Sequence, residues 1–282
     1  MSNPYKIEGP AVISFSGGRS SGFMLHKIIE AHGGTLPDDV KVIFTNTGLE
    51  HHETYEFIHR IEENWCDITW LEYTTKTNEI SVGEPDKNQT WKKVNYKIAS
   101  RKGEPFRQLV FQNTTGTGHP FLPNPAMRLC TSYLKIRTQI KYLKSIGWIE
   151  WNKAIGLRAD QQRRVGKIKS QVKNESVLTP MAEAGHGNED VKSFWKSHSL
   201  DLNLPLDSNI FGNCVGCFLK GYGKLEAIAR EEPHQLDWWI DVEKETKHVF
   251  VRDRPDYETI KRDAHLQQAF DFGDTIDCFC TD

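Results

Sequence analysis

Two groups of residues in this chain have types and spacings that could do chemistry. The first is the cysteines. Cys214-Val215-Gly216-Cys217 and Cys278-Phe279-Cys280 are close pairs, while Cys130 and Cys66 stand alone. Thiolates two residues apart have the spacing of zinc or iron–sulfur ligands, and equally of a redox pair. Spacing does not separate these chemistries. Cys66 ends an apolar helical pattern and reads as a packing thiol. The second group is Ser14-Phe15-Ser16-Gly17-Gly18-Arg19-Ser20-Ser21. Its two glycines let the backbone turn sharply and approach a ligand, with N–H groups facing outward toward an anion. The hydroxyls of Ser16, Ser20 and Ser21 and the Arg19 guanidinium can add donors. The string is neither a Walker A loop nor a Gly-x-Gly-x-x-Gly fingerprint. By itself it reads equally well as a tight turn with no ligand.

The surrounding pattern supplies the elements that would position these groups. Residues 11–15 are a short apolar run, and Phe23, Met24, Leu25, Ile28 and Ile29 then recur at helical spacing: strand, glycine turn, helix. Residues 40–45 and 68–73 read as further strands. Between them, Tyr55, Ile58, Ile61 and Trp65 mark a helix over Glu53 to Trp65. Strand–helix alternation predicts a Rossmann-like α/β fold, an open parallel sheet with helices on both faces. Helix is expected again over 131–146, and strand over Ala154-Ile155-Gly156-Leu157. A short helix is expected from Asn188, with Asn188 as its cap. Helices are also expected over Leu225–Arg230, Leu236–Thr246 and Asp256–Phe270. The organisation read from this is an α/β domain over 1–180 and a mostly helical, cysteine-containing region over 181–282.

Residues 75–127 break the pattern and read as a basic insertion. Lys87, Lys92, Lys93, Lys97, Arg101, Lys102 and Arg107 alternate there with Trp91, Tyr96 and Phe106. Such a stretch suits a nucleic-acid groove or a solvated loop. Residues 158–173 are basic, polar and loop-like. The chain as a whole has 36 Lys and Arg against 38 Asp and Glu, a formal net charge of −2. That excludes a non-specific grip on nucleic acid through bulk charge. No run of eighteen apolar residues suggests a membrane span. The first nine residues lack the apolar core of a signal peptide, so a cytoplasmic protein is expected.

Three strand ends then carry polar groups at one sheet edge: the glycine turn, Thr45-Asn46-Thr47-Gly48, and Arg158-Ala159-Asp160. Open α/β sheets bind ligands at that edge. Ser16-Gly17-Gly18-Arg19-Ser20-Ser21 resembles the Ser-Gly-Gly-Lys-x-Ser loop of the PP-loop adenine-nucleotide alpha hydrolases (the HUP-type fold). More narrowly, the chain resembles the phosphoadenylyl-sulfate (PAPS) reductase family. The segments that carry this are Thr45-Asn46-Thr47-Gly48 with Glu53-Thr54, then Cys130-Thr131-Ser132-Tyr133-Leu134-Lys135-Ile136-Arg137. They continue with Gly156-Leu157-Arg158-Ala159-Asp160, and with Asn188-Glu189-Asp190-Val191 before Trp195. Arg19 stands where that family has lysine, Asn46 where an acidic residue is usual, and Gln161 where glutamate often follows. The Glu-Cys-Gly-(Ile/Leu)-His segment of the sulfonucleotide reductases is absent, and the chain ends Asp277-Cys278-Phe279-Cys280-Thr281-Asp282.

The resemblance implies ATP or a related adenine nucleotide with Mg²⁺, and cleavage between the alpha and beta phosphates. It implies nucleotide contacts from Ser14, Phe15, Ser16, Gly17, Gly18, Arg19, Ser20, Ser21, Thr45, Asn46, Thr47, Gly156 and Arg158. Arg19 and Arg158 would neutralise the departing pyrophosphate. Cys130, Cys214, Cys217 and Cys278 would hold a 4Fe-4S cluster, with structural zinc as the alternative, and Cys280 would carry sulfur. The reaction implied is sulfur transfer to an acceptor, including a nucleic acid, with a thiol or sulfur-donor protein as partner. Two alternatives stand beside it. One is reduction of adenylyl sulfate or PAPS to sulfite. The other is nucleotide binding without catalysis.

Overall fold

The computed structural model describes residues 3–76, 88–112, 120–168 and 173–264. At its centre is a six-stranded sheet built from β1 (Ala11–Ser14), β2 (Val40–Asn46), β3 (Ile68–Thr75), β4 (Gln89–Val94), β5 (Trp151–Ile155) and β6 (Glu175–Leu178). The order across the sheet is β4-β3-β2-β1-β5-β6. The chain winds outward from β1 through β2 to β3, then restarts on the other side of β1 with β5. The crevice between β1 and β5 is therefore the topological switch point, where open α/β sheets take ligands.

The alternation of the strands explains their sequence. Ala11 and Ile13, Val42 and Phe44, and Ile68 and Trp70 enter one buried cluster. Their neighbours Val12, Ile43 and Leu71 enter a second on the opposite face. Successive strand residues point to opposite faces, so a sheet covered on both sides needs near-continuous apolar runs. Helices α1 (Arg19–Ala31) and α2 (His52–Asn64) cover the first face. Helix α4 (Thr138–Ser145) covers the second through Ile140, Tyr142 and Leu143.

The fold matches the expected α/β class, with one correction to the parallel sheet. Strand β4 runs antiparallel to β3, pairing Trp70 with Val94 and Thr75 with Gln89. It lies inside the stretch read as an irregular insertion. As an edge strand it exposes Lys92 and Lys93 and alternates poorly, which hid it. Helix α3 (Glu104–Gln112) is also in that stretch, and buries Phe106, Leu109 and Val110 at helical spacing. Lys87 lies outside the described residues. Among the other cations of the stretch, Lys92 pairs with buried Glu72 at 2.8 Å, Arg107 pairs with Glu245, and Arg101 lies over the rings of Tyr55 and Tyr96.

Two further elements differ from expectation. Residues Cys130–Arg137 form a π-helical turn that leads into α4, where one continuous helix is expected. The segment 158–173 opens with a 3₁₀ turn over Ala159–Gln161 and the short helix α5 (Gln162–Val165).

Beyond the short helix α6 (Pro180–Glu183), α7 (Asn188–Ser197) packs on α1. Its cap is Gly187, not Asn188: the Gly187 N–H donates to the Asp190 carboxylate at 2.7 Å. Trp195 on α7 donates its indole N–H to the carbonyl of Arg19 at 2.9 Å and fits against Gly22, where a Cβ would lie 2.8 Å from its ring. This fixes the start of α1.

The C-terminal helices are α8 (Tyr222–Glu231), α9 (Asp237–Thr246) and α10 (Tyr257–Asp263). The expected continuation to Phe270 lies outside the described residues from 265 onward. These helices share one hydrophobic cluster with α3, Tyr133 and Leu134, centred on Trp239, Phe250 and Tyr257. No helix among the described residues is long and apolar enough to cross a membrane.

Candidate nucleotide and thiol site

The β1–α1 turn is shaped from within. Gly17 sits at φ +77°, and a Cβ there would meet Ile58 and Thr54 at 2.7 Å. Only glycine adopts this conformation in that space. The Ser16 and Ser21 hydroxyls bond to each other at 2.9 Å, and Ser21 also donates to the Gly18 carbonyl at 2.9 Å. Ser21 is fully buried, so it braces the turn rather than facing a ligand. Gly18 precedes α1 in extended backbone without a side-chain cap, and the first turn of α1 holds no acidic residue. Its N–H groups and positive helix end are thus directed at the switch-point crevice. Gly156, just past β5, lies so close that a Cβ would stand 3.2 Å from the Ser21 backbone.

Beside this turn lies a polar cavity of about 360 Å³ whose lining includes Gly18, Arg19, Ser20, Arg158, Arg164 and Lys220. A smaller recess adjoins Ser14, Phe15, Ser16, Thr45, Glu50 and Lys135, and Asn213 lines both. A larger groove, about 1040 Å³, runs between residues 120–126 and 240–258 but includes none of the expected site residues. Converging polar groups, not size, mark the first cavity as the candidate site.

Among the described residues, three arginines line this cavity, and Arg19 and Arg158 are held by carboxylates. Arg19 donates from Nε and Nη2 to the two carboxylate oxygens of Asp201 at 2.8 and 2.7 Å. It also donates to the carbonyls of Leu204 and Pro205. Burial works to raise the Asp201 carboxyl, but bonds from Arg19 and from backbone N–H groups outweigh it and hold it below its ordinary range. Arg158 forks onto Asp160 at 3.0 and 3.1 Å and donates to the Ser20 hydroxyl at 3.1 Å. Burial likewise works to raise the Asp160 carboxyl, but the bonds and charge of Arg158 outweigh it and hold it below its ordinary range.

The end of β2 is buried. The Asn46 amide donates to Glu72 at 2.7 Å and to the Ser100 carbonyl at 2.8 Å. Its oxygen accepts from Gly48 N–H at 2.9 Å and from the Tyr55 hydroxyl at 3.1 Å. This explains asparagine at a position where the resemblance leads one to expect an acid: a carboxylate would face Glu72. Burial, then Glu50, pushes the Tyr55 hydroxyl well above its ordinary value.

The Cys-x-x-Cys segment is stitched to the same edge. Cys214 pairs with Glu50 as an isolated antiparallel bridge, and Val215 N–H donates to the Leu49 carbonyl at 2.9 Å. The Cys214 sulfur lies 3.2 Å from the Thr47 hydroxyl oxygen, and that hydroxyl donates to Glu50 at 2.8 Å. Cys130, Cys214 and Cys217 are all buried in the C-terminal cluster. Cys66 packs in the other cluster, its thiol pushed up to about 12 by burial and by Asp67 and Glu62. Cys278 and Cys280 lie outside the described residues. Three buried thiols in an apolar setting are chemically suited to a thiophilic metal. No three His, Cys, Asp or Glu among the described residues stand together so as to hold one.

Sequence reasoning missed three residues here: Asp201, Asn213 and Lys220. No motif marks any of them, because each reaches the site through the fold. Of the histidines, His51 caps α2 by accepting from Glu53 N–H at 3.2 Å.

The fold is Rossmann-like α/β, with a polar cavity at the switch point of its sheet. The chain belongs to the phosphoadenosine phosphosulfate reductase domain family, whose description matches residues 10–218. It is 28% identical over 222 residues to the uncharacterized nin region protein ORF290 of Escherichia phage lambda, covering 78% of this chain and 70% of that one. Two solved structures are similar at lower levels. One is the phosphoadenylyl-sulfate (PAPS) reductase from Candida auris in a phosphate complex, at TM-score 0.44 and 14% identity, covering 73% of this chain and 84% of that one. The other is the U34-tRNA thiolase NcsA from Methanococcus maripaludis with its [4Fe-4S] cluster, at TM-score 0.38 and 14% identity, covering 87% and 75%.

Proposed function

We propose that this chain is a cytoplasmic enzyme that binds ATP or a related adenylate with Mg²⁺ at the switch-point cavity and uses alpha–beta phosphate cleavage to drive sulfur transfer. The single observation that carries this is the 3.2 Å approach of the Cys214 sulfur to Thr47 at the end of β2. It puts a thiol segment against the same strand edge as the anion turn. The N–H groups at the start of α1 bind phosphate. Arg158, already bonded to Ser20, offsets charge on the departing pyrophosphate. Thr45, which lines the smaller recess with Ser14 and Ser16, walls the nucleoside end, and buried Asn46 and Thr47 brace the strand end behind it. An acceptor oxygen attacks the alpha phosphorus and pyrophosphate leaves. The outer sulfur of a persulfide that a sulfur-donor protein has passed to Cys280 then attacks the atom bearing the adenylated oxygen, and AMP leaves. A second thiol cleaves the resulting acceptor–S–S–Cys280 disulfide, is itself oxidised, and releases the thiolated acceptor.

Cys130, Cys214, Cys217 and Cys278 would be the donor set for a 4Fe-4S cluster, which would supply sulfur and electron handling; Cys130, Cys214 and Cys217 do not stand together in this structure, so binding would have to gather them. Zinc at the same thiols is the structural alternative. A nucleic acid is the acceptor class favoured by the exposed Lys93, Lys97, Arg101 and Lys102 along the β4–α3 segment. The test is pyrophosphate release by anaerobically purified protein given ATP, a sulfur donor and either tRNA or DNA. No release with any acceptor overturns the transfer reading. Sulfite formation from adenylyl sulfate with a thiol reductant would install reduction in its place, the reaction in the family's own description.

A further inference from the structure

We infer that the side-chain amide of Asn213 binds the alpha phosphate of the nucleotide, at the point where the polar cavity meets the smaller recess. The inference rests on the proposed reading of this sheet edge as an adenylate site. It names the residue that holds the phosphate at which cleavage takes place.

Position singles Asn213 out. Gly18, Ser20 and Arg158 line the polar cavity, and Ser14, Ser16 and Thr45 line the recess. Among the described residues, Asn213 is the one that lines both. A nucleotide with its outer phosphates at the start of α1 and its nucleoside toward Thr45 passes from one space to the other at its alpha phosphate. Asn213 therefore stands beside that group, not beside the base or the terminal phosphate.

The backbone fixes it there. The next residue, Cys214, bridges to Glu50, and Val215 N–H donates to the Leu49 carbonyl at 2.9 Å. On the other side, Gly212 lies so close to Asn209 that a Cβ would stand 1.9 Å from its side-chain oxygen. Asn213 itself is left-handed, at φ +57°. Asparagine is one of the few residues besides glycine that visit this conformation. Glycine would satisfy the backbone at lower cost, so what asparagine adds is its amide. Asn203 is also left-handed, at φ +58°, but its amide is used within the fold, donating to Glu53 at 3.2 Å. The half-buried Asn213 amide has no such partner among the described residues. It keeps two N–H donors for a ligand oxygen. A donor on a fixed backbone gives up little freedom on binding. Because Asn213 and Cys214 are adjacent, one turn holds both the alpha phosphate and the thiol segment.

The test uses the full chain and titration calorimetry. ATP and AMP carry the alpha phosphate; adenosine and inorganic pyrophosphate are the controls that lack it. Asn213→Gly keeps the left-handed turn and removes the amide. It is expected to weaken ATP and AMP about three- to tenfold, the range for losing a neutral hydrogen bond, and to leave adenosine and pyrophosphate within about twofold. Asn213→Asp keeps the shape but sets a carboxylate against the phosphate, so ATP and AMP should weaken further than in Asn213→Gly. Unchanged ATP and AMP affinity in Asn213→Gly overturns the inference and leaves the nucleotide reading intact. An equal loss of all the probes also overturns it, since a merely structural role predicts that. A wild-type chain that binds neither ATP nor adenosine overturns both readings. Should Asn213→Gly fail to fold, Asn213→Asp decides: a loss confined to ATP and AMP supports the assignment, and an equal loss or none overturns it.

Discussion

The Asn46 amide donates to the Glu72 carboxylate at 2.7 Å, and neither residue has exposed surface. Glu72 also accepts from the Ser100 N–H and hydroxyl and from Lys92, so its charge is met from several sides. Asn46→Asp replaces a donor with a second carboxylate at the same distance. The expected cost is about 3 kcal/mol, the scale of an unpaired buried charge. One of the two carboxyls then holds its proton well above the ordinary range. The deficit against wild type should shrink as pH falls, and Glu72→Gln in the same chain should restore most of the loss. Urea melts at two pH values measure both. A deficit that does not change with pH would refute the pairing.

Arg19 and Asp201 join residues 182 apart in sequence. Asp201 is held below its ordinary value in the fold, so the pair stabilises at neutral pH and that stability is lost as pH falls through and below the ordinary Asp range, about 3.9. A double-mutant cycle with Arg19→Met and Asp201→Asn should give a coupling of about 1 kcal/mol at pH 7, modest because both side chains keep some solvent contact. The coupling should fall toward zero in acid. Additive effects at pH 7 would show that the pair does not fasten the 201–205 segment.

The cysteines should divide by cluster. Cys66 packs apart from the site with its thiol pushed up to about 12, so iodoacetamide at pH 8 should modify it slowly in the native chain. Cys66→Ala should leave metal content unchanged. Cys214→Ser should abolish it, from about four iron per chain if a 4Fe-4S cluster is bound, or one zinc if the site is structural. Iron, sulfide and zinc analysis of anaerobically purified variants reads this directly. Metal content that survives in Cys214→Ser would remove that residue from the donor set.

The glycines at the turn should differ in what they damage. Gly17→Ala meets both a left-handed backbone and contacts at 2.7 Å, and should cost about 2–3 kcal/mol in stability. Gly156→Ala meets the Ser21 backbone at 3.2 Å with ordinary backbone angles. It should push the first turn of α1 aside and weaken nucleotide about tenfold with a smaller change in melting temperature. If Gly156→Ala binds ATP like wild type, the approach of β5 to α1 does not shape the site.

What the sequence determined by itself is the part of the molecule set by local pattern. The apolar run at 11–14, the helical spacing in α1 and α2, and the strands at 40–46 and 68–75 are legible because each satisfies its own period. The glycine turn is legible because its conformation demands those residues. β4 was hidden because an edge strand has only one hydrogen-bonded neighbour and carries polar residues. The π turn at Cys130 was hidden because it shifts a helix by a residue without changing its composition.

Only the tertiary structure decided the use of the site's charges. Arg19 reads as a phosphate ligand in the loop, and becomes a fastener because Asp201 arrives from far along the chain. Asn46 reads as a lost acid until Glu72 is seen behind it. Lys220 has no motif, and enters the cavity because the segment after Cys217 folds back over the sheet edge. A side chain's electrostatic role depends on which partners lie within a few ångströms, and contacts across 180 residues leave no periodic trace in one sequence.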